Sequence, residues 1–125
     1  MTLDPYNPIV RACFENPVHA TDPTDAYAVS VSAVAAESER GCRVTLIAGI
    51  DDDRIAEMRF RAWGCPFLIA AAEMLCAELE GQKTDALGAV SANDLGARLS
   101  VPATRLGRLL LLEDAAARLL EKIGV

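Results

Sequence analysis

Four cysteines are the residues of this chain with the richest chemistry, and their spacing limits what they could do. Cys13, Cys42, Cys65 and Cys76 are far apart and form no CxxC pair. Zinc ribbons and fingers use closely spaced cysteine pairs, so the spacing argues against such a site. In a reducing compartment these residues would be thiols or ligands rather than structural disulfides. The spacing by itself predicts no metal.

Cys65 has the local setting that favours a reactive thiol. It follows a strand-like segment and precedes Pro66, which suits the first turn of a helix. The positive end of a helix dipole stabilises a thiolate at that position. A functional thiol and an inert one are the two interpretations that the residues leave open.

The other cysteines and the single histidine have simpler interpretations. Cys42 stands at a loop–strand junction, either as a functional thiol near Cys65 or as a half-buried strand residue. We expect Cys76 in the core, because free cysteine packs as a small hydrophobe. Cys13 is expected to pack on a short N-terminal helix. His19 lies in a proline-flanked segment, where we expect a solvated surface histidine.

The remaining residues indicate no catalytic constellation. Trp63 and Phe67 flank the Gly-Cys pair, and we expect them to be core or shielding residues. The run Asp51–Asp53 predicts a solvated turn, since the other oxygen ligands of a calcium loop do not follow it. There is no glycine-rich phosphate loop, and a lone histidine makes a nucleophilic triad improbable. We therefore expect a protein that is not an enzyme.

Hydrophobic periodicity predicts the elements that must position these residues. A short helix over Ile9–Glu15 is followed by three alternating segments with short polar connections, the pattern of an antiparallel meander: Tyr27–Ala35, Arg43–Ile50 and Arg54–Trp63. The apolar members of the last segment are Ile55, Met58, Phe60 and Ala62.

Helix formers and capping residues dominate the second half of the chain. They predict a helix over Pro66–Glu80 with Gly81 as C-cap, and a second helix from the N-cap Ser91 to Leu99. A third helix is predicted over Thr104–Lys122, with a buried stripe that includes Leu110. The prediction is an α+β fold: a three-stranded antiparallel meander with an N-terminal helix and three to four C-terminal helices packed on one face. By length, residues 1–125 form one domain.

Charge and hydropathy exclude two classes of partner. The net charge of −6 argues against non-specific nucleic-acid binding, which needs clustered cations. The longest apolar stretch is too short to span a bilayer, and residues 1–8 lack the apolar region of a secretory signal. These features predict a cytoplasmic protein that binds neither nucleic acid nor membrane.

Several short segments, in order along the chain, carry a resemblance to a known family. They are Phe14-Glu15-Asn16-Pro17, the strand–Gly64-Cys65-Pro66–helix junction within 59–72, Gly81-Gln82-Lys83-Thr84, Val101-Pro102-Ala103-Thr104-Arg105-Leu106 and Leu112-Glu113-Asp114-Ala115. Together they resemble the motifs of the NifU/IscU-type iron–sulfur cluster assembly scaffolds. The resemblance covers nearly the whole chain and implies the same α+β fold.

The resemblance also implies a ligand set, of which this chain keeps a part. Family scaffolds assemble a cluster on three cysteines, helped by an aspartate and a histidine. Cys65 matches the second cysteine, and Arg108 stands in place of the third. The first cysteine matches Arg40, with Cys42 in the aspartate position, or else Cys42 after a slip of one residue; the glycine register favours the first alignment. Cys65 and Cys42 are thus the candidate metal ligands, with Arg40, Arg108 and Gly64 near them. Arg108 could stabilise a thiolate but cannot ligate iron.

Three functions are compatible with this pattern. The first is a scaffold or carrier that binds iron or an Fe–S cluster, or alternatively zinc, through Cys65 and Cys42. Because a [2Fe–2S] cluster takes four protein ligands, two chains would have to share it as a homodimer. The second is a SufE-like sulfur acceptor using Cys42. The third is a non-catalytic adaptor in Fe–S biogenesis.

By resemblance, two partners are implied. A cysteine desulfurase would supply sulfur, and an Hsp70-type chaperone would grip the motif represented here by Val101, Pro102 and Arg105.

Overall fold

Three strands form one antiparallel sheet, in which each strand pairs with the next along the chain. The structure is a computed structural model, and it describes residues 15, 18–20, 29–37 and 41–124. The strands are β1 (Val29–Glu37), β2 (Cys42–Asp51) and β3 (Arg54–Trp63). The predicted meander is confirmed. The first strand extends two residues beyond its predicted end at Ala35, and the start predicted at Tyr27 lies outside the described residues.

The pairing of β2 with β3 contains one irregularity. The register shifts between Gly49 and Ile50, so that Ile50 faces Ile55 while Gly49 faces Glu57. The extra residue of this bulge, Ala56, has no partner in the ladder. The shift explains why the buried residues of β3 do not keep a strict period of two at its start.

Helices follow the sheet and cover one of its faces. They are α1 (Pro66–Leu79), α2 (Ala92–Arg98), α3 (Ala103–Leu106) and α4 (Leu110–Gly124), with 3₁₀ turns at Thr84–Ala89 and Gly107–Leu109. α1 packs on β3, and α4 packs on β1 and β2. The predicted α+β class is confirmed. The N-terminal helix prediction lies outside the described residues except for Glu15, which is helical.

The prediction of one continuous last helix over Thr104–Lys122 is wrong. The chain forms a 3₁₀ turn at Gly107–Leu109 between α3 and α4. Glycine has a poor helix propensity, and the tighter turn locally replaces the α-helical pattern. One consequence is that Leu110, predicted to be buried, is 56% exposed while Leu109 is fully buried.

The residues predicted to cap the helices lie at the helix ends in the structure. The Ser91 hydroxyl accepts a hydrogen bond from the Asp94 amide at 3.1 Å at the start of α2, as predicted. The Glu113 carboxylate of α4 accepts a second one from the Ala92 amide at 2.7 Å. Gly81 has a φ of 89° just beyond the end of α1. Within the described ranges, the helices lack the length and apolarity needed to cross a membrane.

Candidate functional site

The sheet register brings two cysteines together at one end of β2 and β3. Cys42 opens β2, and Cys65 is the N-cap residue of α1, with Pro66 at its first position. Because Arg43 pairs with Trp63, Cys42 lies opposite Gly64. Cys42 is 2% exposed and Cys65 is 4% exposed, so both are buried.

Gly64 permits the close approach of the two segments. Its φ of 112° belongs to a region that residues with a side chain rarely adopt. A Cβ atom at this position would lie 3.0 Å from the Cys42 sulfur and 3.2 Å from the Cys42 Cα. Only glycine therefore fits between the two cysteines without displacing Cys42.

Arg108 supplies the third functional group of the site. It lies in the 3₁₀ turn before α4, and its side chain hydrogen-bonds Cys65. This contact raises the pKa of Arg108, and the charges of Cys65, Cys42 and Glu37 add to the effect. The buried Nε of Arg108 has no acceptor among the described residues. Arg40, the other cation predicted near the site, lies outside those residues.

The site has few metal ligands. Within the described ranges, no group of three His, Cys, Asp or Glu residues is arranged to hold a metal ion. Cys76 lies in the core, as predicted, and its burial raises the pKa of its thiol, with Glu73 and Glu80 adding to the shift. Cys13 lies outside the described residues. Two thiols and a guanidinium can hold an anionic sulfur species or contribute half of a four-thiolate cluster site.

An open cleft of about 640 Å³ adjoins Cys42. Arg43, Arg61 and the Trp63 indole contribute to its lining. The expectation that Trp63 is a core or shielding residue is wrong, since it is 75% exposed. The reason is the alternation of β3, which turns residue 62 toward the helices and residue 63 away from them.

The other aromatic residue beside the site behaves as expected. Phe67 is buried, and the guanidinium of Arg105 stacks over its ring, 5.6 Å from the centroid. Of the remaining residues in the predicted partner motif, Val101 is half-buried and Pro102 is exposed.

A second polar cluster was missed by the sequence analysis. His19 is not a solvated residue, because its side chain is 13% exposed and lies between the carboxylates of Glu73, in α1, and Glu80, the C-cap residue of α1. Its Nδ1 is 2.5 Å from Glu73 Oε2, and its Nε2 is 2.9 Å from Glu80 Oε1. The backbone of His19 donates to Glu73 at 2.7 Å and accepts from the Phe60 amide at 3.1 Å. The sequence feature that could have indicated this cluster is a pair of glutamates, seven positions apart, on one face of a strongly apolar helix.

The cluster is held by opposite charges. Burial alone would lower the pKa of His19, but the hydrogen bonds and charges of Glu73 and Glu80 outweigh it, and the pKa is raised above its usual 6.5. Burial opposes ionisation of Glu80, yet donors from Met58, His19 and Arg59 lower its pKa. Arg59 Nη1 donates to Glu80 Oε2 at 2.8 Å, and Arg59 Nη2 lies 3.6 Å from Glu57 Oε2. Glu73 is eight residues beyond Cys65, about 12 Å along α1, so the cluster is separate from the pair formed by Cys42 and Cys65.

Comparison with known proteins gives a family match over nearly the whole chain. The model of the NifU-like N terminal domain matches residues 5–122. An iron–sulfur cluster assembly protein IscU from Plasmodium falciparum (isolate 3D7) is 29% identical over 84 residues, which are 67% of this chain. The chain spans about half the length of that curated relative, since the match covers 52% of it.

Solved structures share the fold. The N-terminal domain of a nitrogen-fixing NifU-like protein from Brucella abortus superposes with a TM-score of 0.70 at 17% identity, covering 94% of this chain and 92% of that one. A protein described as a candidate iron–sulfur cluster assembly scaffold for the SUF system, from Fervidobacterium islandicum AW-1, superposes with a TM-score of 0.69 at 15% identity. That alignment covers 92% of this chain and 96% of the other.

Proposed function

Because the chain belongs to the NifU-like N-terminal domain family, we propose that it acts in iron–sulfur cluster assembly and holds iron or an Fe–S cluster through Cys65 and Cys42. The observation that carries this proposal is the meeting of the two cysteines across Gly64, where the Cys42 sulfur is 3.0 Å from the position of a Cβ. The protein would act as a scaffold or carrier in the cytoplasm and not as an enzyme.

The number of thiols determines how a cluster would be held. A [2Fe–2S] cluster takes four protein ligands, mostly thiolates, and one chain brings Cys42 and Cys65 together. A cluster shared by two copies of this chain would have all four. Zinc, the alternative metal, has the same requirement, because structural zinc is four-coordinate. We therefore propose a homodimer as the loaded form.

A second candidate function is sulfur acceptance in the manner of SufE-type proteins. In this role Cys42 would receive a persulfide sulfur from a cysteine desulfurase. The observation that favours it is the open cleft of about 640 Å³ whose lining includes Cys42.

The partner motif supports a proposal about chaperone binding. An Hsp70-type chaperone would bind the segment that contains Val101, Pro102 and Arg105. Pro102 is exposed and free to contact a partner, whereas Arg105 lies over the Phe67 ring. Chaperone binding would then require Arg105 to leave that ring.

The test is the metal and sulfide content of anaerobically reconstituted protein. Wild type is compared with Cys42→Ser, Cys65→Ser and, as a matched control, Cys76→Ala, which removes a thiol from the core. We expect about one iron and one acid-labile sulfide per chain, a visible cluster spectrum and a dimer in wild type and the control, all lost in the two site variants. Protein that stays free of iron and sulfide after reconstitution would contradict the cluster proposal. A persulfide on Cys42 in such protein would favour the second candidate.

A further inference from the structure

The face of the sheet that points away from the helices carries an exposed aromatic residue beside two arginines. Arg43 of β2 pairs with Trp63 of β3, and Thr45 pairs with Arg61 in the adjacent row. Because the side chains of a strand alternate and the intervening Val44 is fully buried, these four side chains lie on the outer face. Arg43 and Arg61 are exposed, and Trp63 is 75% exposed. This end of the sheet therefore presents one indole and two guanidinium groups to solvent.

The exposure of Trp63 is a feature that the fold does not explain. Among the described residues it is the most exposed large hydrophobic side chain, ahead of Val18 at 59% and Leu110 at 56%. An indole left in water contributes none of the stability that burial of its large apolar surface would provide. Tryptophan and arginine are the residues that most often dominate the binding energy of protein interfaces. Side by side in one row of the sheet, Trp63 and Arg43 have the composition of such an interface.

The cleft of about 640 Å³ beside these residues is cationic, although the protein as a whole is acidic. The sequence has 18 acidic residues and 12 basic ones, which gives the net charge of −6. Among the described residues that line the cleft, Arg43 and Arg61 are basic and Glu37 is acidic. The charge of Glu37 also acts on Arg108, whose pKa it helps to raise. A cationic cleft of this kind attracts a negatively charged partner.

We propose that this cleft binds an acidic segment of a partner protein, with Trp63 packing on the segment and Arg43 and Arg61 contacting its carboxylates. A guanidinium holds a carboxylate through two parallel N–H donors, which gives direction as well as attraction. The exposed indole covers the apolar part of the same segment and shields these contacts from water. This binding role goes beyond the proposed role in iron–sulfur assembly and does not depend on a metal at the thiols.

Charge separates this partner from two other occupants. In a symmetric dimer the same patch meets itself, so that Arg43 and Arg61 of one copy would lie close to those of the other. Like charges brought together in this way destabilise an interface. A nucleic acid carries a charge on every phosphate and is repelled by a chain of net charge −6. An acidic protein segment has fewer charges and can place them at the two guanidinium groups.

The test measures the binding of a defined acidic probe to metal-free, reduced protein. Fluorescein-labelled octaglutamate is titrated with protein at about pH 7, where glutamate is ionised, and its fluorescence anisotropy is followed. A Gly-Ser octapeptide and octathymidylate with the same label are the comparison probes, and unlabelled octaglutamate competes with the labelled form. Trp63 is the only tryptophan in the sequence, so its emission during a parallel titration with unlabelled peptide reports contact at this residue.

We expect octaglutamate to bind and to change the Trp63 emission. Its affinity should fall at least about threefold when the salt concentration rises from about 20 mM to about 200 mM, because salt screens exposed charges. Arg43→Gln should weaken binding about twofold to fivefold, the effect of one exposed charge pair, and Arg43→Lys should weaken it less. Trp63→Ala should weaken binding at least about tenfold.

Arg54→Gln is the matched control, because it removes an exposed arginine about 30 Å away at the other end of β3. Its affinity for octaglutamate should equal that of wild type. The proposal is overturned if octaglutamate does not bind, if the Gly-Ser peptide binds as tightly, or if Arg43→Gln and Arg54→Gln have equal effects.

Two further outcomes would replace the acidic segment by another occupant. Tighter binding of octathymidylate than of octaglutamate would indicate a nucleic-acid site. Self-association of the peptide-free protein that Trp63→Ala abolishes would indicate a contact between two copies of this chain. Because every sample is metal-free, a failed cluster reconstitution would contradict the proposed function alone, and a failed titration would contradict this inference alone.

Discussion

The strongest perturbation that the structure suggests is His19→Gln, because this imidazole bridges two carboxylates. A protonated histidine donates one hydrogen bond to Glu73 and another to Glu80. Glutamine carries no charge, and its single amide nitrogen cannot reach both partners in the same way. The side chain of Glu73 is 8% exposed, so solvent compensates little for the loss. Charge-assisted hydrogen bonds are worth about 1.5–3 kcal/mol each, and Glu80, at 29% exposure, is partly screened. We expect a loss of about 2–4 kcal/mol in the free energy of unfolding near pH 6.

The loss should depend on pH in a defined direction. The folded-state pKa of His19 is raised above 6.5, so its charge stabilises the fold fully below pH 6.5 and less as the pH rises through the folded-state pKa. Neutral imidazole has one N–H, which leaves one of the two carboxylates facing a lone pair. The difference in stability between wild type and His19→Gln should therefore shrink at high pH. Glu80 stays ionised throughout, since its pKa is lowered.

Two measurements check this reasoning. Urea unfolding of wild type and His19→Gln at about pH 6 and about pH 9 gives the difference in stability at each pH. His19 is the only histidine in the sequence, so its ring protons give one assignable NMR titration. Val18→Gln is the control, because Val18 is 59% exposed and the change introduces the same residue next door. An equal stability loss at both pH values, or a ring that titrates at or below pH 6.5, would refute the charged bridge.

Three further variants test other parts of the structure. Gly64→Ala should destabilise the protein by about 2–3 kcal/mol in chemical denaturation, because the added Cβ would lie 3.0 Å from the Cys42 sulfur. The same change should alter the alkylation rate of Cys42. An unchanged rate and an unchanged stability would contradict the close approach. Cys76→Ser should lose about 1–3 kcal/mol more than Cys76→Ala, since it buries a hydroxyl in the core; equal stabilities would show that the hydroxyl finds a partner. Ser91→Ala should cost about 1 kcal/mol in the same assay through loss of the bond to the Asp94 amide, and restoration by Ser91→Asp would separate capping from other effects.

Secondary structure was predictable where the signal is local. Alternation and polar turns defined the three strands, and a proline and a serine marked the starts of α1 and α2. The break at Gly107–Leu109 was not predicted, because apolar periodicity continues through it and only one glycine signals the change. Arg108 was placed near the thiols by family resemblance, whereas no periodicity in its own segment indicates a contact with Cys65.

Long-range contacts escaped prediction from the residues. His19 meets glutamates that are 54 and 61 positions away, and nothing in its own segment signals them. The juxtaposition of Cys42 and Cys65 likewise depends on the register that pairs Arg43 with Trp63. A register shift of one residue would turn Cys42 to the opposite face of the sheet.

The three groups of the site come from three separate elements whose positions do not depend on those groups. Cys42 is held by the β-ladder, Cys65 by the strand–helix junction, and Arg108 by a turn whose next residue, Leu109, is anchored in the core. Conservative substitutions at Cys42, Cys65 or Arg108 should therefore change what the site binds and leave the backbone conformation unchanged. Substitutions at Gly64 or His19 should instead lower the stability of the fold. Metal content and persulfide position thus test the site residues, while unfolding experiments test the residues that stabilise the fold. Because the fold does not depend on the site residues, a chain that shares only 15–17% identity with proteins of the same fold can carry a thiol pair beside an arginine.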